Sequence, residues 1–309
     1  MIGRVTQQTV QRSTLTNMQH NLAAMSGLQS KLSGLKNIAK PSDDPSGTAA
    51  AMSLRSALRA NEQHARNVSD GGGWLTTADS AIQSSLDAVR RVRDLSVQGS
   101  STGVLNREAR EALAIEIEGL RDSLVAQANT TYLGRPVFAG TAVGQAVSVT
   151  TVEPDPADPT AKPTRAYSYH GFAGSVVERR VDASTTVRVD VDGAAAFGTG
   201  DASVFATLDR IAATLRAGTD VAPEITALDG HRDALLQQVA GLGARQAQIE
   251  AAGARTMETK VSLTSQLTEI EDVDLAGTIM EVQMQEVAYQ AALGAASRVL
   301  QPTLMDFLR

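Results

Sequence analysis

Apolar residues recur three and four positions apart over most of this chain, the spacing that lines them along one side of a helix. The first series runs Leu15, Met18, Leu22, Met25 and Leu32, broken only by Gln29 and widened on one side by Leu28 and Leu35. It predicts a helix from Ser13 to about Lys36 with a narrow coiled-coil seam. Pro41 then stops the helix, because it lacks an N–H and disfavours helical geometry in Lys40. Asp44 followed by Pro45 restarts one, a side-chain acceptor at the cap and a fixed φ at the first helical position.

The next tract holds a conflict. Gly71, Gly72 and Gly73 stand in a row, which costs a helix roughly 3 kcal/mol against three alanines. Yet the series Leu54, Leu58, Asn61, Ala65, Val68, Gly72, Leu75, Asp79, Ile82, Leu86, Val89 passes through them without losing phase. A loop has no reason to keep phase. The pattern therefore predicts one helix from about Pro45 to Gln98, weak or bent at the glycines where a neighbouring backbone approaches; a break at Gly71 is the alternative. Turn residues follow Gln98, and Asn106 opens a helix with Leu113, Ile117, Leu120 and Leu124 as its stripe, to about Asn129. Two antiparallel helices joined by a short loop make an αα-hairpin.

From about Gly140 the period changes from helix to strand. Residues 147–152 (VSVTTV) alternate, four prolines fall between Pro154 and Pro163, and 185–193 (TTVRVDVDG) alternate again before an Asp192–Gly193 turn signal. Seven of the ten aromatic residues lie between Tyr132 and Phe205, which predicts a small β-rich insert with a modest core of its own. Helix returns near Ala202 with Val204, Leu208, Ile211 and Leu215. Pro223 opens the longest tract, in which Ile225, Leu228, Leu235, Val239, Leu242, Ile249, Leu263, Leu267 and Ile270 hold one phase. Such length without caps points to a coiled coil.

After an interruption at 271–274 a last seam runs Leu275, Ile279, Val282, Glu286, Tyr289, Leu293, Ala296, Leu300. A second row, Met280, Met284, Val287, Ala291 and Gly294, lies beside it. One antiparallel partner covers one stripe, and the N-terminal helix has the matching seam. A helix apolar over this much of its circumference needs further neighbours, which copies of the same chain would supply in an open, head-to-tail assembly. The predicted assembly interface is therefore Leu15, Met18, Leu22, Met25, Leu32, Leu275, Ile279, Val282, Tyr289, Leu293, Ala296 and Leu300. A core helix of a self-contained bundle is the plainer alternative.

Composition sharpens this picture. Of 309 residues, 48 are alanine and only 3% are aromatic, favouring helices packed side by side over a thick core. A net charge of −6 gives no basic footprint for nucleic acid or anionic membrane. Cysteine is absent, excluding disulfides, Cys-based metal sites and a Cys nucleophile. His20, His64, His170 and His231 have no ligand spacing. No apolar run is long enough to span a membrane, and the start lacks the apolar segment of a secretory signal, so ordinary rules read the chain as cytoplasmic. GxSxG, HExxH and phosphate-cradling loops are missing, and GLGAR at 241–245 has no preceding strand. The carboxylates Glu116, Glu118, Glu269, Glu271, Asp272 and Asp274 read as solvated faces or helix ends, the basic run at Arg90 as an ion-paired surface, and Trp74 as a packing anchor. No catalytic, cofactor or metal site is predicted, and the chain is not expected to be an enzyme.

Certain segments carry a resemblance. KPSDDP at 40–45, RVRDLSVQ at 91–98, the run from LRDSL to NTT at 120–131, YLGRPVFAGT at 132–141 and the tail YQAALGAASRVLQPTLMDFLR at 289–309 together resemble the flagellin superfamily. Within it they are most similar to the hook-associated proteins of the hook–filament junction. The resemblance covers about 1–141 and 203–309; the insert carries no match.

It implies a mainly α fold, a long antiparallel helical bundle or coiled coil formed by both chain ends, with a small β-rich insert. The implied parts are a terminal assembly domain (1–40 with 272–309), a helical bundle (41–140 with 202–271) and an outer insert (141–201). The resemblance further implies export through the flagellar channel by an uncleaved N-terminal signal, a chaperone at the C-terminal end, and a secreted, extracellular place in the flagellum, which revises the cytoplasmic reading. Its implied partners are further copies of itself in a ring or helical layer, a neighbouring hook-associated protein and flagellin, with no nucleic acid and no membrane span. Flagellins of this type also meet an innate immune receptor through a face that would correspond to Arg91, Arg93 and Leu95. A filament flagellin and a non-flagellar coiled-coil scaffold remain the alternatives.

Overall fold

The computed structural model describes residues 7–100, 106–153, 163–172 and 174–299. Long helices dominate: α1 (Gln7–Gly34), α2 (Pro45–Gly99), α3 (Arg107–Ala128), α5 (Val204–Ala217), α6 (Ala222–Glu271) and α7 (Leu275–Val299). Between α3 and α5 lie three hairpins, β1 (Thr131–Tyr132) with β2 (Arg135–Pro136), β3 (Val147–Val152) with β4 (Thr164–Tyr169), and β5 (Glu178–Arg180) with β6 (Thr186–Arg188). A short helix α4 (Gly193–Phe197) follows them. The chain is mainly α, with its two ends paired in one compact unit. Among the described residues that unit comprises 7–60 and 259–299, and those within 61–258 form a second.

In the second unit α2 and α6 run antiparallel. The Asn61 amide donates to the Thr256 carbonyl at 2.9 Å, and Arg93 pairs with Asp229 at 3.0 Å. On α6 the buried residues Leu228, Leu235, Leu242 and Ile249 fall every seventh position, the repeat that keeps one seam against a partner over many turns. α3 and α5 form a second antiparallel pair, closed by Arg216 against Glu118 at 2.5 Å and Glu111 at 2.9 Å. Asn106 starts α3 by accepting from Ala109 N at 2.8 Å, and Ser203 starts α5 by accepting from Ala206 N at 3.2 Å. Gly218, at φ 71°, ends α5 in the left-handed conformation that glycine takes without strain.

α2 is continuous through the three glycines, as the unbroken phase predicts. What approaches them is side chain, not the backbone expected from the sequence: a Cβ on Gly71 would meet Ile249 Cδ1 at 3.1 Å and Val189 Cγ1 at 3.2 Å. One on Gly73 would lie 2.5 Å from the Tyr132 hydroxyl. The glycines thus let residues of the insert and of α6 seat directly on the helix. Beside them Trp74 is buried, its ring edge-on to Tyr132 at 5.8 Å and flanked by the guanidinium groups of Arg135 and Arg179, each 5.7 Å from its centre.

Two substitutions separate space from propensity. A Cβ at Gly72 would stand 3.6 Å from Ile249 Cγ2, an ordinary contact, so Gly72→Ala is expected to stabilise by about 0.5–1 kcal/mol. Gly73→Ala forces the Tyr132 ring off Trp74 and is expected to lower stability despite the better helix former. Urea unfolding of both variants checks the pair; equal stabilisation by both would contradict the packing.

The insert differs from expectation in two ways. It has no separate core: Phe138 packs edge-to-face on Phe197 at 5.2 Å, Phe197 stacks on Phe205 at 5.8 Å, and Tyr167 lies 5.4 Å from Phe205. This aromatic string ties the hairpins to α5, because two-stranded ribbons have too little apolar face to be stable alone. Secondly, Asp192–Gly193 is not a hairpin turn. Asp192 accepts from Ala194 N at 2.9 Å and begins α4, the alternative use of an Asp ahead of a short apolar run. The tight turn lies instead between β1 and β2, where Leu133 (φ 49°) and Gly134 (φ 77°) both take positive φ.

Candidate assembly surface

The unit that holds both chain ends is built on a joint of four charges. α1 ends at Gly34, and Leu35 adopts φ 52°, a left-handed conformation costly for a branched residue. It is held there by a short antiparallel bridge between Lys36 and Asp272: Asn37 N donates to Glu271 O at 2.7 Å and Val273 N to Leu35 O at 3.3 Å. Glu271, expected on a solvated end, is buried, and reaches Arg55 at 2.8 Å and Lys36 at 3.4 Å. Lys36 also meets Asp272 at 2.6 Å, a hydrogen bond that holds the Asp272 carboxyl below its usual pKa and raises that of Lys36.

The loop between α1 and α2 is stiffened by its two aspartates. Asp43 Oδ2 accepts from Lys40 N at 2.8 Å and Ala39 N at 3.2 Å. Asp44 Oδ1 accepts from Gly47 N at 2.9 Å and from Ser46 N at 3.0 Å, capping α2. These bonds, that from Gly47 first, hold its carboxyl below the ordinary range. Asp274 opens α7 in the same way, accepting from Ala276 N at 3.1 Å.

From this joint α1 and α7 run antiparallel, with Gln285 Nε2 donating to Asn21 O at 3.3 Å. Less exposed residues of α1 include Thr14, Met18, Asn21, Met25, Leu28 and Leu32, with Ala24 and Lys31 beside them; those of α7 include Thr278, Val282, Gln285, Tyr289, Ala292 and Ala296, with Gly277 beside them. The first six of each set keep three-four spacing, so these are the facing seams. They share Met18, Met25, Leu32, Val282, Tyr289 and Ala296 with the predicted interface. The other predicted residues do not lie in the seam. Leu15 is 58% exposed, Leu22 51%, Leu275 48%, Ile279 44% and Leu293 41%, while Leu300 lies outside the described residues.

The pair is rotated by one row from the one read in the sequence. Small and polar residues, Thr278, Gln285, Ala292, Thr14 and Asn21, pack between the helices, and a row of leucines stays outside. Leu28, which had only widened the predicted seam, is the residue that marked the rotated face. Met280, Met284 and Val287, all largely exposed, lie on the side of α7 away from these leucines and give the pair an apolar face that nothing in the chain covers among the described residues. Gly277, Val287, Ala288 and Ala291 line a shallow, mostly apolar groove along α7 with the two methionines, edged by Glu281, Gln283 and Gln285.

Elsewhere the predicted features are structural. Arg91 is tied to Glu116 at 2.7 Å and Arg93 to Asp229 at 3.0 Å, while Leu95 is 2% exposed. Leu95 faces the core, so the three do not form one surface. Arg90 pairs with Asp87 at 3.0 Å. Among the described residues no three His, Asp or Glu side chains are grouped to hold a metal, and no helix is long and apolar enough to cross a membrane.

Comparison with known proteins agrees with this architecture. Residues 5–143 match the model of the bacterial flagellin N-terminal helical region, and residues 225–308 that of the C-terminal helical region. The chain is 26% identical over 282 residues to a flagellin of Bacillus subtilis, spanning 91% of this chain and 90% of that one. It is 28% identical over 286 residues to flagellar hook-associated protein 3 of Escherichia coli, spanning 84% and 85%. The crystal structure of a flagellar hook-associated protein from Legionella pneumophila superposes with a TM-score of 0.58 over 70% of this chain and 98% of that one. At 16% identity that likeness speaks to the fold alone.

Proposed function

The chain belongs to the flagellin superfamily, and we propose that it is a structural axial component of the bacterial flagellum, the adaptor that joins the hook side to the flagellin filament. The observation that carries this is the paired terminal helices with a bare apolar face. Helix pairs of this kind gain stability only by burying that face, and identical copies stacked around an axis do so without any other partner. The proposed division of labour is a terminal assembly domain (1–40 with 272–309), a bundle (41–140 with 202–271) that sets the spacing of copies, and an outer insert (141–201).

On this reading the chain is exported through the flagellar channel, a chaperone covers the C-terminal helix until export, and the assembled copies meet a hook-associated protein on one side and flagellin on the other. The work is mechanical and requires no active site. A filament flagellin is the second reading, favoured by the likeness to the Bacillus subtilis protein over most of both chains. Deletion of the gene separates the two. An adaptor's loss leaves complete hooks with no filament attached and unpolymerised flagellin in the medium, restored by the full chain. Filaments of normal length in the deletion strain would refute the adaptor.

A further inference from the structure

Sulfur is unusually placed in this chain. It has no cysteine and eight methionines, so thioethers are its only sulfur groups. Among the described residues four of them are largely exposed: Met52, Met257, Met280 and Met284. Met280 and Met284 stand one helical turn apart on α7, in the apolar groove, on the face that the proposed assembly must bury. Met18 and Met25, in contrast, lie in the seam between α1 and α7 and are half-buried.

Resting on the functional reading above, we propose that Met280 and Met284 are oxidation sites that switch off assembly of the free chain. A peroxide transfers one oxygen atom to Sδ; the sulfur is oxidised by two electrons, the O–O bond breaks, and for hydrogen peroxide the product is water. The thioether, an apolar and adaptable contact, becomes a polar sulfoxide whose oxygen demands a hydrogen bond. Of the other lining residues Gly277, Val287, Ala288 and Ala291 present no side-chain donor, Glu281 is an acceptor, and the amide of Gln285 already donates to Asn21 O at 3.3 Å, which leaves Gln283 as the further amide of the groove. Burial of the oxidised face against another copy therefore has to desolvate two sulfoxide oxygens where the unoxidised face presented apolar thioethers. Once assembled, the same residues are covered, so the switch acts on the free chain and spares the finished structure.

The test uses the full-length chain, treated with hydrogen peroxide and mapped by peptide mass, then added to hooks from a strain lacking its gene. Untreated protein is expected to incorporate. Oxidised protein, with sulfoxide at Met280 and Met284, is expected to lose incorporation by about tenfold or more, and treatment with both methionine sulfoxide reductases to restore it. The double variant M280L/M284L should lose no further incorporation on peroxide treatment, staying within about twofold of its own untreated level, because leucine cannot be oxidised. The M52L/M257L variant, equally exposed positions on other helices, should fail after oxidation as the wild type does. Failure of the untreated protein would sink the functional reading and this proposal with it. Undiminished incorporation of the oxidised wild type, or equal loss in M280L/M284L, would overturn the switch while leaving the adaptor standing.

Discussion

Leu293→Asp is expected to abolish incorporation into the flagellum while leaving residues 61–258 folded as before. Leu293 is 41% exposed, at the edge of the α1–α7 seam on the flank opposite Met284, so a carboxylate there stays hydrated in the free chain and must be desolvated on assembly. A penalty of about 3 kcal/mol per contact already reduces association about a hundredfold, and in a closed ring it recurs at every copy. Met284→Asp serves as the companion, because Met284 is 67% exposed and outside the seam. It should leave the helix pair intact and still block incorporation. Counting attached filaments, with circular dichroism to confirm unchanged helix content, reads both. Normal attachment by Met284→Asp would mean that the exposed face is not where copies meet.

The largest loss of stability is expected from Arg121→Ala. Arg121, on α3, is 3% exposed and bridges to Asp209 on α5 and to Asp122 beside it. Asp209 also accepts from the Tyr167 hydroxyl at 2.6 Å, which ties β4 to the same point. Burial, reinforced by this bond, raises the Tyr167 pKa far above its ordinary value, so the phenol remains a donor throughout the working pH range. Removing the guanidinium leaves a partly buried carboxylate and a void, a change that costs about 3–5 kcal/mol. Water reaches Asp209 at one side, which favours the lower end. Arg121→Met, which fills the space without the charge, should cost less. The sole tryptophan, Trp74, lies in this unit and reports its urea unfolding by fluorescence. A loss below about 1 kcal/mol for Arg121→Ala would mean that the ion cluster is not part of the core.

Helical periodicity carried far in this chain, because the residues that set it are ones the fold also uses. Leu228, Leu235, Leu242 and Ile249 are buried in the phase read from the sequence, and α2 passes through Gly71–Gly73 because its phase does. Rotation about the helix axis was harder to read. Two stripes on α1 and two on α7 are each apolar enough to form a seam, and the larger residues favoured the one that stays outside. A helix with several partners places its leucines where the later partner binds, so size is a poor guide to which contact forms within the chain. The insert was legible as strands but not as packing. Phe138, Phe197 and Phe205 are distant in sequence, and nothing local reveals that their rings meet. Glu271 was misread for the same reason: its partners Lys36 and Arg55 lie more than two hundred residues away.

The central claim, an adaptor confined to one place on the axis, is tested most directly by immunogold electron microscopy of intact flagella with antibody against the insert, residues 141–201. The account predicts a single cluster of gold where hook meets filament, which would also put the insert on the outer surface. Label along the whole filament would contradict it and make the chain a flagellin. No label, with the antigen accessible on purified protein, would contradict its placement in the flagellum.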